Sequence, residues 1–519
     1  VAATAPGRPR SWPVRLAWWA PALLAAAAMT VAGLWGLARD SAMGNDEIAT
    51  RWAALLGLRD LGHLLSHGDA VHGLYYLIMH AWVAIGGSSP AALRVPSVIA
   101  MVIAVALAAA LARKLTGSGW AALFTGLIMA LTPAITFYAQ TARSYAMVLA
   151  CVVAATLVLV HVLEAEAADR PAPHVARWWI GYAALVTVSS YLNEMALLAL
   201  AAHAVTVLLA RYGSRVIRHW LIAAAAGGVL VLPLLALSVH EQAAIGWIPR
   251  PGITALRILF RDYFGATTIL GLLVLACAVV AVLPGRNSTA PAWWNAGGIS
   301  LQSVAAPLLL VPAGLLLVES RVLDPLYTDR YVLYGEVGAA LLAGGGAVRI
   351  GQWAAARLTQ PTARRTLIWL PGVVLCVLAL VLQLGPDRRV RTPDSRLYNF
   401  AAPSRYINAH ARAGDGVLYF GTLFRKAELG YPQYFTKVTD FAVAVAPRQA
   451  DNFRGVDKTF AQTLPLMLRY QRIWVFGYQP SLRLPPGLLR RESRTLMRQF
   501  SQVDIRHFRG ITVTLWQRR

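Results

Sequence analysis

The sequence predicts a polytopic all-α membrane domain of about eleven transmembrane helices, followed by a C-terminal extracytoplasmic α/β domain. Three observations carry this. First, 57% of the 519 residues are hydrophobic and only 14% charged, with a mean hydropathy of +0.53. That charged share is far below the ~25% of soluble domains, which excludes a soluble multidomain protein, and so much apolar area excludes a disordered chain. Second, apolar runs near the ~20 residues needed to cross ~30 Å of hydrocarbon recur as far as residue 386. Third, the pattern beyond 386 turns mixed and strongly basic.

The expected spans are 14–38, 94–112, 119–137, 145–163, 178–193, 195–210, 219–239, 267–284, 299–318, 331–349 and 366–385. The first is too long for a cleavable signal peptide, and Arg39-Asp40 follows it without a small-residue cleavage site. The run HGLYYLIMHAWVAIG (72–86) carries His72 and His80 and is too short to cross, so it reads as an interfacial helix within a first outer loop of 39–93. Basic residues set the sidedness. Arg8, Arg10 and Arg15, Arg113-Lys114, Arg170 and Arg177, Arg211, Arg215 and Arg218, Arg286, and Arg349, Arg357, Arg364 and Arg365 all fall inside when the N-terminus is cytoplasmic. A twelfth span at 72–86 would move Arg113-Lys114 outside.

Eleven spans divide the chain into a membrane domain, 1–386, and an outer domain, 387–519. The latter holds 23 Arg+Lys against 9 Asp+Glu, which does not oppose the topology because long domains translocate regardless of charge. Within it 400–411 reads as a helix, and VLYF (417–420), IWVFG (473–477) and ITVTLW (511–516) read as strands. The Asn287-Ser288-Thr289 sequon falls on an inner loop and is discounted. Cys151, Cys277 and Cys376 lie in apolar runs without a CxxC spacing and read as inert buried thiols. Rich in Ala and Arg, with four lysines (Lys114, Lys426, Lys437, Lys458), the chain has the composition of a GC-rich bacterial genome.

Polar residues that are hard to explain structurally gather on the outer side: Asp46-Glu47, His63, His67, Asp69 and His72; Arg143 and Tyr145; Asn193-Glu194; His240, Glu241, Trp247, Arg250, Arg257, Arg261 and Asp262; and Glu319, Arg321, Asp324, Asp329, Arg330 and Tyr331. Acids with arginines suit a site handling a hydroxyl and a phosphate, the carboxylate taking a proton and the guanidinium gripping phosphate oxygens. Plainer readings stand beside this. Asp46 suits a helix cap, Arg143 and Arg330 suit snorkelling at helix ends, and His161 and His203 suit core histidines. His63 and His67, four apart, leave a divalent metal open, and no cofactor is otherwise called for. Neither a DxD nor a Rossmann phosphate loop occurs.

Several motifs in order resemble the C-type (GT-C fold) membrane glycosyltransferases, near protein O-mannosyltransferases and lipid A aminoarabinose transferases, in an actinobacterial-type version. They are GNDE (44–47), HGLYY (72–76), GGSSPAALRVPS (86–97), TP (132–133), ARSYAM (142–147) and DRYVL (329–333). The departure is HGL where the family has HPP. The resemblance implies an inverting transfer of one sugar, mannose first and arabinofuranose next, from a polyprenyl-phosphate donor to a hydroxyl of a cell-envelope glycan, glycolipid or protein outside the cytoplasmic membrane. By resemblance Asp46 is the general base, and Glu47 orients the acceptor or shares that work. Arg143 and Arg330 hold the donor phosphate, Tyr145 and Tyr331 add hydrogen bonds, and His72 contacts phosphate or sugar. Tyr75, Arg94, Glu194 and Asp329 complete the substrate-binding set. The partners are the lipid-linked donor, the acceptor and membrane lipids, with no nucleic acid. The rivals are a lipid-linked-sugar transporter or flippase, which needs ionisable residues near the midplane and repeated broken helices, and a non-catalytic glycan-binding membrane scaffold.

Overall fold

The computed structural model describes residues 12–38, 42–167, 174–240, 246–283, 298–477 and 489–519. Arg8, Arg10, Arg39-Asp40, Asp169, Arg170, Glu241, Arg286 and the Asn287 sequon lie outside the described residues, as do the side chains of Arg15 and His240. Contacts group the chain into two compact units that differ from a division at 386/387. One comprises Val1–Trp35, Ser97–Gln140 and Ser144–Arg388, the other Gly36–Pro96, Thr141–Arg143 and Arg389–Arg519.

The first unit is helical. Its helices include α1 (Trp12–Leu34), most of a long helix Pro90–Thr116, and helices Gly119–Leu131, Pro133–Ala139, Tyr145–Ala167, Val175–Leu192, Leu198–Ala210, Ser214–Val229, Leu232–His240, Ile253–Phe264, Thr268–Val282, Leu301–Val322, Glu336–Ala355 and Pro361–Val390. By length and composition, six of the described helical stretches suffice to cross a membrane, and three bent pairs bring the number to nine. The expected eleven therefore exceeds what these helices support. The difference lies at 178–193 and 195–210, where Asn193 ends one helix, its side chain accepts from the Met195 N–H at 3.0 Å, and only a short apolar helix follows.

The breaks have local causes. In Gly119–Leu131 and Pro133–Ala139, bent by 68°, Pro133 supplies no N–H to continue the first helix, so the TP motif marks a corner. Helix Glu336–Ala355 sits deepest in this unit, and glycines let its neighbours approach. A methyl added at Gly346 would lie 1.8 Å from the Cys277 carbonyl oxygen, at Gly338 2.4 Å from that of Ala305, and at Gly344 2.8 Å from the Thr125 nitrogen. Small residues at such crossings replace the hydrophobic drive that lipid removes. Elsewhere in the unit, Lys114 pairs with Glu164, and the Glu166 carboxylate accepts from Trp179 Nε1 at 2.8 Å and meets His219 Nδ1 at 2.7 Å.

The second unit combines three short helices of the first outer segment with the C-terminal α/β fold. The helices are Asn45–Leu55, Leu58–His67 and Gly73–Gly86, the last on the stretch read as interfacial. A five-stranded sheet has the order β2-β1-β5-β7-β6, with β1 (Asp415–Tyr419) parallel to β2 (Val438–Asp440) and β5 (Arg472–Gly477), and β7 (Ile511–Arg518) antiparallel to β5 and β6 (Phe500–Phe508). Strands β3 (Val443–Val445) and β4 (Val456–Asp457) form a separate pair. The three expected strands are the centre of the sheet, and Ala401–His410 is the expected helix. Strand β6 escapes sequence reading because it lies at the edge, with most of its side chains exposed. The core under the sheet joins Leu418, Val475, Phe500 and Trp516 to Met467 and Leu496.

Candidate functional site

In the second unit, the site is built around one buried carboxylate. Gly44 is the N-cap of helix Asn45–Leu55, and Glu47, three positions on, reaches back so that its Oε2 accepts from the Gly44 N–H at 2.9 Å. Capping therefore falls to Glu47, not Asp46. The same carboxylate takes a fork from Arg94, Nε to Oε1 at 2.8 Å and Nη2 to Oε2 at 3.0 Å. It also accepts from the Ala142 N–H at 3.0 Å, and Arg396 Nη2 stands 3.6 Å away. Burial alone would raise this carboxyl, but Arg396 and Arg94 more than reverse that and hold it at about 2. Three motifs far apart in sequence, GNDE, AALR and ARSY, thus converge on Glu47.

The convergence places Arg143. The Ala142 peptide is held from both sides, its N–H by Glu47 and its carbonyl by Thr50 Oγ1 at 3.0 Å, while Arg396 Nη1 donates to Thr141 Oγ1 at 2.8 Å. From this clamp Arg143, buried, donates through Nη1 to the Tyr76 hydroxyl at 3.1 Å. Tyr76 in turn donates to Asp69 Oδ2. Asp69 has a left-handed backbone (φ 62°), uncommon for a residue other than glycine and a recurrent feature of functional sites. His72 Nδ1 lies 4.0 Å from Asp69 Oδ1. Burial, with Arg143 beside it, lowers the His72 imidazole to about 4, so the ring is neutral at physiological pH. Burial would raise Asp69, but His72 and Arg143 prevail and bring it below its ordinary value. Asp46 is half-buried on the first turn of its helix, with Asn45 Nδ2 at 3.3 Å from its Oδ1. Lys426, buried, lies in the field of Asp46 and Asp69. Tyr75 is wholly buried beside Tyr76, with ring centroids 6.3 Å apart.

A separate cluster lies in the helical unit. The Arg330 guanidinium stands over three rings, Tyr145 at 5.8 Å, Trp247 at 5.4 Å and Tyr331 at 5.7 Å. An aromatic cage of this kind holds a cation without neutralising it. Next to it Asp329 Oδ2 accepts from the Tyr138 hydroxyl at 3.0 Å, and the Asp262 carboxyl lies in the field of Asp329. Glu194, on the turn capped by Asn193, interacts with Ser238. The Tyr334 hydroxyl ties the 329–335 turn to the Met195 carbonyl at 3.0 Å.

Of the residues singled out from sequence, Asp46, Glu47, His72, Tyr75, Arg94 and Arg143 thus share one unit, and Tyr145, Glu194, Asp329, Arg330 and Tyr331 share the other. Asp69 and Trp247 were among the outer residues noted in the sequence but were given no role, and sequence reasoning did not select Tyr76, Lys426 or Tyr138. Tyr76 was inside the HGLYY motif, and the scarcity of lysine was the one available signal for Lys426. Glu336, wholly buried in a helix read as a span, was also missed. Among the described residues no three His, Cys, Asp or Glu side chains converge as a metal site.

Comparison with solved structures decides the architecture. ArnT from Cupriavidus metallidurans in the apo state superposes with a TM-score of 0.54 over 97% of this chain and 98% of its own, at 12% identity. This is the ArnT fold. ArnT bound to undecaprenyl phosphate matches over the same shares, with a TM-score of 0.51 and 11% identity. The oligosaccharyltransferase AglB from Archaeoglobus fulgidus, in complex with an inhibitory peptide and a dolichol-phosphate, gives 0.50 over 90% of this chain and 70% of its own, at 10% identity. Residues 73–238 match the family model described as dolichyl-phosphate-mannose-protein mannosyltransferase. No curated protein matches the sequence.

Proposed function

We propose that this chain is a polyprenyl-phosphate-sugar-dependent glycosyltransferase of the cytoplasmic membrane, acting on its outer face. The observation that carries this is the placement of Asp46, an acid relieved of capping duty by Glu47, in one compact unit with the clamped cation Arg143. The ArnT fold and the family match at 73–238 support the reading. Common sidedness supports it too, because three segments expected outside, 39–93, 141–143 and 387–519, contribute to a single unit.

In this reading Asp46 takes the proton of an acceptor hydroxyl. The hydroxyl oxygen attacks the anomeric carbon from the face opposite the phosphate, the carbon–oxygen bond to phosphate breaks with inversion, and polyprenyl phosphate leaves with one more negative charge than it carried in the donor. That charge appears only as the bond breaks, so fixed cations stabilise the transition state more than the bound donor. Arg143 holds the phosphate, and His72, neutral, offers a hydrogen bond to phosphate or sugar without adding charge. Arg330 in its cage keeps a donor-binding role, with Tyr145, Tyr331 and Asp329 around it, and Tyr75 and Glu194 remain in the substrate-binding set. Glu47 and Arg94 act as the frame that orients Asp46 and Arg143. Mannose is the favoured sugar and arabinofuranose the next, with an envelope glycan, glycolipid or protein hydroxyl as acceptor. Residues 1–386 form the membrane catalytic part and 387–519 the outer domain.

Asp46→Asn tests it in proteoliposomes supplied with polyprenyl-phosphate sugars. Transfer is expected to fall 10²–10⁴-fold, the usual weight of a general base, with donor binding kept. Transfer at the wild-type rate overturns the assignment.

A further inference from the structure

The C-terminal segment brings a cation to the base. Lys426 opens a short helix, Lys426–Gly430, that docks on the helix carrying Asp46. The docking is specific: Ile48 packs against Gly430, Arg51 Nη1 donates to the Gly430 carbonyl at 3.2 Å, and the Tyr431 hydroxyl accepts from the Met43 N–H at 2.7 Å. Its neighbour Arg425 is anchored the other way, Nε to Asp440 at 2.7 Å and Nη2 to Asp457 at 2.5 Å, so the two adjacent cations have different tasks. Lys426 is 8% exposed, with its ammonium 5.3 Å from the centre of the Phe453 ring. Among the charged groups whose field it feels are Asp46, Asp69, Arg143 and Arg454. A lysine with two acids and two arginines for company is held where an added anion meets several positive charges at once.

We propose that Lys426 is a phosphate-binding residue of the transfer site, supplied by the C-terminal segment, whose ammonium pairs with the phosphoryl group of the lipid-linked donor beside Arg143. The inference rests on the reading of this site as one that uses a polyprenyl phosphate. It gives the outer domain a direct part in substrate binding. Burial lowers the ammonium to about 8, Asp46 and Asp69 opposing this, so the cation is lost at mildly alkaline pH unless an anion retains its proton.

The test uses the full chain in phosphatidylcholine nanodiscs, with undecaprenyl monophosphate as the probe and undecaprenol as its neutral counterpart. Lys426→Met is expected to weaken monophosphate binding at least tenfold, Lys426→Arg to stay within threefold of wild type, and undecaprenol to bind all three alike. Wild-type affinity for the monophosphate is expected to fall between pH 7 and 9 while that of Lys426→Arg holds, a readout that survives if Lys426→Met does not fold. Equal monophosphate binding by wild type and Lys426→Met overturns the proposal, as does a parallel loss for undecaprenol. Inorganic phosphate is titrated alongside: a Lys426-dependent response to it, with none to the lipid phosphate, also overturns the donor assignment. Binding is read without turnover, so failure of sugar transfer and failure of this site are separate results.

Discussion

Arg94 holds Glu47 in a two-pronged grip, 2.8 and 3.0 Å, with both side chains 2% exposed. A buried carboxylate in a saturated set of donors is a structural element, because moving it would strand an arginine in a dry interior. Removing one partner of such a pair costs about 3–5 kcal/mol. Glu47→Gln is therefore expected to lower the thermal midpoint in detergent substantially, whereas Asp46→Asn, next to it in sequence, leaves the midpoint near wild type. Equal midpoints for the two variants would remove the distinction between frame and base.

Acid should loosen this unit in two stages. An unfolded chain protonates its histidines near 6.5, but His72 in place resists down to about 4, so folding stability drains as pH falls from 6.5 to 4. Glu47 resists from 4.5 to about 2, so its contribution, complete above 4.5, is lost across that lower window. Chemical denaturation followed at pH 7, 5 and 3.5 should show both declines. In His72→Gln the one between 6.5 and 4 disappears and the lower one stays.

Much of this architecture is legible in the residues. Apolar runs locate helices, and VLYF, IWVFG and ITVTLW find the sheet's centre, because burial on both faces leaves a continuous hydrophobic signature; the corner at Pro133 was missed, the expected span 119–137 running straight through it. Edge strand β6 has no such signature. Two of the eleven expected spans fall short because Val175–Leu192 carries Arg177, Ser189, Ser190 and Tyr191 among its apolar residues and Leu198–Ala210 is short. The GNDE, AALR and ARSY motifs were visible as a set, but their reason, shared hydrogen bonds to Glu47, depends on contacts across 95 positions of sequence. For the same reason Lys426 could not be chosen: nothing in residues 422–431 says they lie against Asn45–Leu55.

The Arg330 cage predicts a difference between losing charge and losing shape. Trp247, 60% exposed yet 5.4 Å from the guanidinium, contributes to orientation. Cation–π contacts of this sort are worth about 0.5–2 kcal/mol. Trp247→Ala should therefore raise the donor KM roughly 2- to 30-fold with kcat less affected, and Arg330→Lys should do the same because a lysine ammonium does not stack as a planar guanidinium does. Arg330→Met should raise the donor KM further and lower kcat as well. Steady-state kinetics with a polyprenyl-phosphate sugar separates the three.

Gly346 offers a test of the membrane packing that is independent of chemistry. A side-chain carbon there would sit 1.8 Å from the Cys277 carbonyl oxygen and 2.7 Å from its carbon, both backbone atoms of the adjacent helix, so no rotamer change can relieve the clash. The two helices must separate. Overpacking of this order costs about 1–3 kcal/mol. Gly314, on Leu301–Val322, has nothing within 4 Å of an added methyl, and a helical Gly→Ala change there gains up to about 1 kcal/mol. Gly346→Val should accordingly aggregate on detergent extraction or melt early, while Gly314→Ala melts at or above wild type. Both outcomes are read by fluorescence-detected gel filtration after a heating series, and a Gly346→Val variant as heat-resistant as Gly314→Ala would mean that helices Thr268–Val282 and Glu336–Ala355 do not cross as closely as the Gly346–Cys277 contact requires.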